Sequence, residues 1–370
     1  MDGHYFTMKK IIVVYDTAEA EFLNDNVLNV DYARNYPGLL FWNCLYQRAM
    51  QLGWEMMASD VFLKSSFVND RAVLISHMFT PRTLRLIDAG VHPCVCLSGE
   101  SPNVAWKFYK EVVANTYGFG KYYLFRGMTE FMGREVDVSP FYWPNSAQTV
   151  GEGLPWEKRR FLVMIASNKR KYSTLRCGHV LSFCKWAFWK VLYYTNPMFC
   201  FEDLYQRRLD AILYFSHIDG FDLLGRGWSS RKLLPKKEYR AVQKCYGGAV
   251  DSKSDTLKKY KFAICFENCV FPGYVTEKIF DCFLSGCIPV YMGAPDIDEF
   301  VPDDSYIDFR EFKNFAELEC HLRDISSIES TRYLLAAENF LSSPEYRRFS
   351  DESLAINIVE DIKCYINGKV

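Results

Sequence analysis

The chain reads as an α/β protein: two doubly wound, Rossmann-like domains facing a cleft. Three observations predict this. Short apolar strands alternate with amphipathic helices in two separate runs, a punctuated stretch divides the runs, and 370 residues suffice for two ordinary cores.

In the first run, Lys10–Asp16 (KIIVVYD), Ala72–Met78, Pro93–Leu97 (PCVCL) and Tyr122–Phe125 predict strands. Between them, Leu39–Leu52, Pro81–Asp88 and Asn103–Asn115 carry apolar residues at helical spacing. From about Gly127 to Lys158 the pattern weakens, with Pro140, Pro144, Gly151, Gly153 and Pro155 marking an interdomain linker. The second run places strands at Phe161–Ala166, Phe221–Leu224, Phe262–Phe266 and Ile288–Met292, and helices at Leu204–Phe215 and Val275–Ser285. Helices at Phe312–Ile325, Ser330–Leu341 and Asp351–Ile366 close the chain. The expected domains are 1–150 for acceptor binding and 156–345 for donor binding, with a terminal helix in 346–370 crossing back onto the first domain.

Composition narrows the function. A formal net charge of −1 carries no nucleic-acid signature, so anion binding must come from local clusters. The 13 cysteines are scattered, and Cys44, Cys265 and Cys282 sit in apolar runs. Free thiols in a reducing cytosol fit that pattern better than a disulfide framework. The opening MDGHYFTMKKIIVVYD does not read as a signal peptide, Met8 is an alternative start, and no stretch has the length of a membrane anchor. A cytoplasmic protein is expected.

The most informative segment is Tyr260–Ala294, YKFAICFENCVFPGYVTEKIFDCFLSGCIPVYMGA. A buried strand delivers Glu267 and Asn268 at its carboxyl end, and a helix opens near Thr276, a plausible N-cap. In open α/β sheets, ligands bind outside the strand ends, against helix N-termini that favour anions. Glu277 and Lys278 fall in the first helical turn, where a carboxylate can take ribose hydroxyls and an ammonium a phosphate. On its own, the pair equally suits a solvated helix face.

The whole ordered string, FEN, then YVTEK, then IPVYMGA, resembles the donor-site signature of the α-1,3-fucosyltransferase family. The resemblance implies a GT-B fold, an inverting mechanism and GDP-fucose as donor; no motif in the sequence calls for a further cofactor. Carried onto matching positions, it implies that Asn268, Tyr274, Glu277 and Lys278 hold the GDP part. It also implies an arginine on the helix YQRRLDAILYF, where Arg208 fits the register better than Arg207, and a lysine counterpart in Lys253. The likeness is strong over Phe161–Phe309 and thin in the first domain, so acceptor and linkage stay open.

In the first domain, Glu100 stands at the end of PCVCL, with Ser101 and Pro102 expected as N-cap and first helical residue. Inverting transfer needs one base on the acceptor side and cations where the diphosphate departs. Glu100 fits the base, and the family resemblance agrees; a carboxylate decorating a helix start is the alternative. Asp137 reads as structural, as does His92. No metal is implied: Asp296 and Asp298 read as helix-start residues.

Lys158–Lys190 holds nine Lys or Arg and no acid, and segment 158–201 mixes them with aromatics. It suits either peripheral contact with an anionic membrane or a flap on the donor domain. Together these readings predict transfer of fucose from GDP-fucose, α-1,3-linked, to a free or lipid-linked glycan acceptor of a surface polysaccharide or lipopolysaccharide. Another GDP-sugar donor, or a silent sugar-binding protein, are the alternatives.

Overall fold

The computed structural model describes residues 10–34, 38–65, 71–132, 136–145, 153–168, 191, 201–231 and 234–369. Most of segment 158–201 therefore lies outside the described residues. Those described fall into two compact units. One lies within Met1–Glu100, Ala105–Ala147 and Arg347–Val370, the other within Ser101–Val104 and Gln148–Tyr346.

The first unit holds a six-stranded parallel sheet in the order β2-β1-β3-β4-β5-β6. Its strands are β1 (Ile12–Thr17), β2 (Glu55–Ala58), β3 (Ala72–His77), β4 (His92–Leu97), β5 (Lys121–Leu124) and β6 (Val138–Pro140). Helices α1 (Leu39–Gln51), α2 (Pro81–Asp88) and α3 (Trp106–Val113) follow strands in turn, as parallel pairing requires. The central strands are apolar almost throughout: all six β1 residues are buried, the pattern of a sheet covered on both faces.

The second unit holds a five-stranded parallel sheet in the order β11-β10-β9-β7-β8. Its strands are β7 (Arg160–Ile165), β8 (Phe221–Leu224), β9 (Tyr260–Phe266), β10 (Ile288–Met292) and β11 (Ile307–Asp308). Around it lie α4 (Tyr205–Phe215), α5 (Lys236–Cys245), α6 (Lys253–Leu257), α7 (Glu277–Leu284), α8 (Phe315–Asp324) and α9 (Ser327–Leu341). Its core centres on Leu162, Phe262, Ile264, Ile212 and Phe215, all buried. Counted from each unit's first strand, both sheets share the order second, first, third, fourth, fifth, so each has a topological switch point beside its first strand.

The last helix, α10 (Asp351–Lys369), belongs to the first unit and packs along α1 and against β4. Arg48 on α1 pairs with Glu352, and the Tyr123 hydroxyl donates to Asp361.

Several local expectations need correction. The stretch 127–158 is not a linker throughout, because β6 lies inside it and pairs with β5. Pro140 is tolerated because β6 is the edge strand. The helix expected at Asn103–Asn115 begins only at Trp106, with Ala105 rather than Ser101 at the N-cap. The Asn103 amide instead donates to the Phe201 carbonyl at 3.1 Å, and Val104 closes a turn onto Ser101. Helices α5 and α6 and strand β11 were not expected.

Candidate functional site

In the second unit the switch point lies between β7 and β9, and β9 runs straight into Glu267 and Asn268. Both are buried. Such a strand end, opposite the opening of α7, is where an open α/β sheet receives a ligand.

Four polar side chains meet there. Arg208, on α4, is only 6% exposed, and its guanidinium donates to the Phe266 carbonyl (3.0 and 2.5 Å) and to Asn268 Oδ1 at 3.0 Å. The Asn268 amide donates in turn to the hydroxyl of the buried Tyr274 at 3.0 Å. Lys278 sits near enough for the Arg208 charge to oppose its own. Lys278 is paired with Glu267 and lies 3.9 Å from Glu277, whereas the Arg208 guanidinium bonds only neutral oxygens among the described residues, and such a planar fork suits a phosphate. Arg207 is half exposed and reaches only to 3.9 Å from Glu202.

Beside this cluster lies a carboxylate relay. Glu267, fully buried, accepts from the Thr276 amide at 2.9 Å, the Thr276 hydroxyl at 2.9 Å and Lys278 Nζ at 2.8 Å. Lys278 Nζ also donates to Thr276 Oγ1 at 2.7 Å. Burial alone would pull the Lys278 ammonium down, but Glu267 and Glu277 raise it above the ordinary lysine range. Gly293 makes room for Glu267: a Cβ there would meet Glu267 Cγ at 2.5 Å and Tyr291 Oη at 2.6 Å. The small residue in YMGA is thus the floor of the carboxylate pocket.

Lys253, at the start of α6, lies 3.4 Å from Glu277 and 3.0 Å from Asp281. Burial pushes the Asp281 carboxyl up, against the pull of Lys253. It also pushes Glu277 up, but Lys278 and Lys253 outweigh it and hold that carboxyl at about 2, below its usual 4.5. A carboxyl depressed on folding adds stability above its unfolded value, lost as pH falls toward the folded one. The Glu277 contribution therefore disappears between about pH 4.5 and 2. Glu277→Gln is expected to flatten this acid limb by on the order of 1 kcal/mol. Denaturation at pH 7 and pH 3 checks it: an equal loss at both values would remove the ion pair as the cause.

In the first unit, Glu100 follows β4, half buried, on a backbone clamped from three directions. Its amide donates to Ser98 Oγ at 3.2 Å, its carbonyl accepts from the Tyr109 hydroxyl at 2.6 Å, and the Trp143 ring packs on Gly99. A Cβ on Gly99 would meet that ring at 2.7 Å, so the close approach requires glycine.

The first unit's own switch point is filled from within. The buried Asp16 accepts from Ser59 (2.7 Å), Thr80 (2.6 Å), Thr83 (2.9 Å) and Arg82 (3.0 Å), while Thr80 caps α2. Where the second unit leaves a helix start without a side-chain cap, this one closes it with a capping box of Thr80 and Thr83, whose hydroxyls also donate to Asp16.

Of the residues singled out in the sequence, Arg208, Asn268 and Tyr274 form one hydrogen-bonded chain. Lys253, Glu277 and Lys278 form a charged cluster next to it, and Glu100 lies in the other unit. The sequence marks Glu267 only by its place at the strand end and Thr276 only as an N-cap, and it gives no sign of Asp281. An acid closing an apolar strand is the signal that points to Glu267, since such a group needs donors waiting for it. Asp137 holds Lys121 through both oxygens at 2.8 Å, and Asp296 accepts from the Gly273 amide at 2.9 Å, bracing the loop before α7. Among the described residues no group of three or more His, Cys, Asp or Glu is placed to hold a metal, and no helix is long and apolar enough to cross a membrane.

Residues 231–335 match the family model of the glycosyltransferase family 10 (fucosyltransferase) C-terminal domain. The chain is 31% identical over 115 residues to the α-(1,3)-fucosyltransferase FucT of Helicobacter pylori, covering 31% of this chain and 24% of that one. It is 30% identical over 92 residues to the mouse (Mus musculus) 4-galactosyl-N-acetylglucosaminide 3-α-L-fucosyltransferase 9, covering 24% and 26%. The matches thus span about a quarter of these relatives' length. Among solved structures it resembles AviGT4, a glycosyltransferase involved in avilamycin A biosynthesis, with a TM-score of 0.50, 12% identity, and 97% and 98% coverage. That likeness concerns the fold, the two-sheet GT-B type.

Proposed function

We propose that the chain, whose residues 231–335 match the glycosyltransferase family 10 (fucosyltransferase) C-terminal model, transfers fucose from GDP-fucose to a glycan hydroxyl with inversion. The observation that carries the reading is the buried Arg208–Asn268–Tyr274 chain beside Lys278 at the switch point. It offers fixed cationic donors for a diphosphate next to a carboxylate, Glu277, suited to ribose hydroxyls.

The second unit binds the donor and the first binds the acceptor. Glu100 takes the proton of the acceptor hydroxyl as its oxygen attacks the anomeric carbon of fucose. The bond from that carbon to the diphosphate oxygen breaks, and GDP leaves with its charge met by Arg208 and Lys278. In this reading Arg208 and Lys278 supply the positive charge at the departing diphosphate. The mouse relative's name specifies a 4-galactosyl-N-acetylglucosaminide; we propose that disaccharide unit, within a surface glycan, as the acceptor, fucosylated at the 3-position. A reducing cytoplasm suits free thiols such as Cys265 and Cys282, which lie 3.2 Å apart in a thiol–thiol hydrogen bond.

Calorimetric titration with GDP, GDP-fucose, GDP-mannose and UDP, without metal, tests the reading. GDP and GDP-fucose are expected to bind at least about tenfold more tightly than UDP, a difference of ~1.4 kcal/mol. Preference for UDP, or no binding, would refute it. Transfer to N-acetyllactosamine then tests the acceptor.

A further inference from the structure

We propose that Glu267 is the positioning residue of the donor site: it aims the Lys278 ammonium and withdraws Thr276 from capping α7. This rests on the donor-site reading above.

A lysine is a point charge on a flexible stem, and its three N–H groups turn freely unless something holds them. Lys278 commits one to Glu267 Oε2 at 2.8 Å and another to Thr276 Oγ1 at 2.7 Å. With the stem and two directions of a tetrahedral nitrogen fixed, the third follows. The direction of the remaining donor is therefore set before any ligand arrives, with Glu277 Oε1 3.9 Å from the nitrogen and beyond hydrogen-bond reach, and a fixed donor is what stabilising a departing diphosphate requires.

Thr276 occupies the N-cap of α7 and has the side chain that normally caps a helix. Here it makes no capping bond: its hydroxyl donates to Glu267 and accepts from Lys278. The first turn of α7 is left without a side-chain cap, so its field remains directed at the site. Glu267 is itself held by the Thr276 amide and the floor at Gly293. A buried ion pair of this kind adds little to stability compared with an apolar packing of the same volume. Its consequence is geometric.

The test compares wild type, Glu267→Gln, Lys278→Gln and the double variant. GDP titration gives affinity; GDP release from GDP-fucose, with water or N-acetyllactosamine as acceptor, gives turnover. Glu267→Gln is expected to lower kcat about 30-fold while GDP affinity and donor KM stay within about threefold. Affinity holds because the substitution also removes a negative charge beside the diphosphate. In the Lys278→Gln background the same change is expected to cost less than about twofold, because the residue it positions is gone. A kcat within twofold of wild type, a parallel loss of affinity and kcat, or independent effects in the double variant would each overturn the proposal. If Glu267→Gln does not fold, Thr276→Val carries the test, since it keeps shape and charge but removes the joining hydroxyl. It is expected to lower kcat about fivefold at unchanged GDP affinity, and an unchanged kcat would overturn the proposal. Wild type that binds no GDP refutes the donor site itself; wild type that binds it, with Glu267→Gln fully active, refutes only the positioning role.

Discussion

Glu100→Gln is expected to lower fucosyl transfer by about 10²- to 10⁴-fold while GDP affinity stays within about twofold. The substitution is isosteric, and the backbone at residue 100 is held by the amide on Ser98, the carbonyl under Tyr109, and Gly99 beneath the Trp143 ring. None of these contacts depends on the carboxylate charge. Glutamine therefore occupies the same place but cannot accept the acceptor's proton. The donor groups all lie in the other unit, on α4, α6, α7 and the loop between β9 and α7, so nucleotide binding has no reason to change. Turnover above one-tenth of wild type would remove Glu100 as the base. Loss of GDP binding in parallel would show that the change had disturbed the fold rather than the chemistry. A kcat profile that loses its acid limb in the variant would separate the base from a residue that merely orients the acceptor.

The long strands and helices were legible because each carries its period for many residues. Ile288–Met292 and Phe221–Leu224 match their expected bounds, since a short apolar run between turn residues leaves little freedom. What escaped notice was short or depended on tertiary context. Strand β2 is four residues of edge strand, EMMA, only half of them buried, and too brief to show an alternation. Strand β6 is three residues long and hidden among prolines. Helix α3 starts late because Asn103 finds a backbone partner far away in sequence, which local propensity cannot foresee.

The site divides in the same way. Asn268, Tyr274, Glu277 and Lys278 are nearly contiguous, so their order could be read as one string. Arg208 stands 60 positions before Asn268, its hydrogen-bond partner. Its register in the family's pattern singles it out, and the structure agrees in burying Arg208 and leaving Arg207 half exposed. The relay from Glu267 through Thr276 to Lys278 required the structure, because the sequence shows a helix cap where the side chain serves a buried carboxylate instead. The first unit's switch point was equally hidden: Asp16 gathers its partners from α2, from the residue before it and from Ser59 beyond β2.

Arg208→Ala is expected to weaken GDP binding by about 10- to 100-fold, about 1.4–2.7 kcal/mol, whereas Arg207→Ala stays within about twofold. The two side chains are neighbours on one helix with equal charge, so any effect of net charge alone would be shared. Their difference lies in what the fold does with them. Arg208 is buried, with its fork held by the Phe266 carbonyl and Asn268, and its charge bears on Lys278. Arg207 stands half exposed, where solvent and salt screen it. Removing Arg208 also leaves the Phe266 carbonyl and Asn268 short of a donor, at a cost to stability of about 1–3 kcal/mol. The melting temperature should therefore fall in Arg208→Ala without ligand, and the further rise on adding GDP should shrink. Raising ionic strength should weaken GDP binding less in Arg208→Ala than in wild type, because one cation no longer contributes. Equal effects of the two substitutions on GDP affinity would mean that the diphosphate senses only the general field of α4, and the buried chain to Tyr274 would lose its place in the donor site.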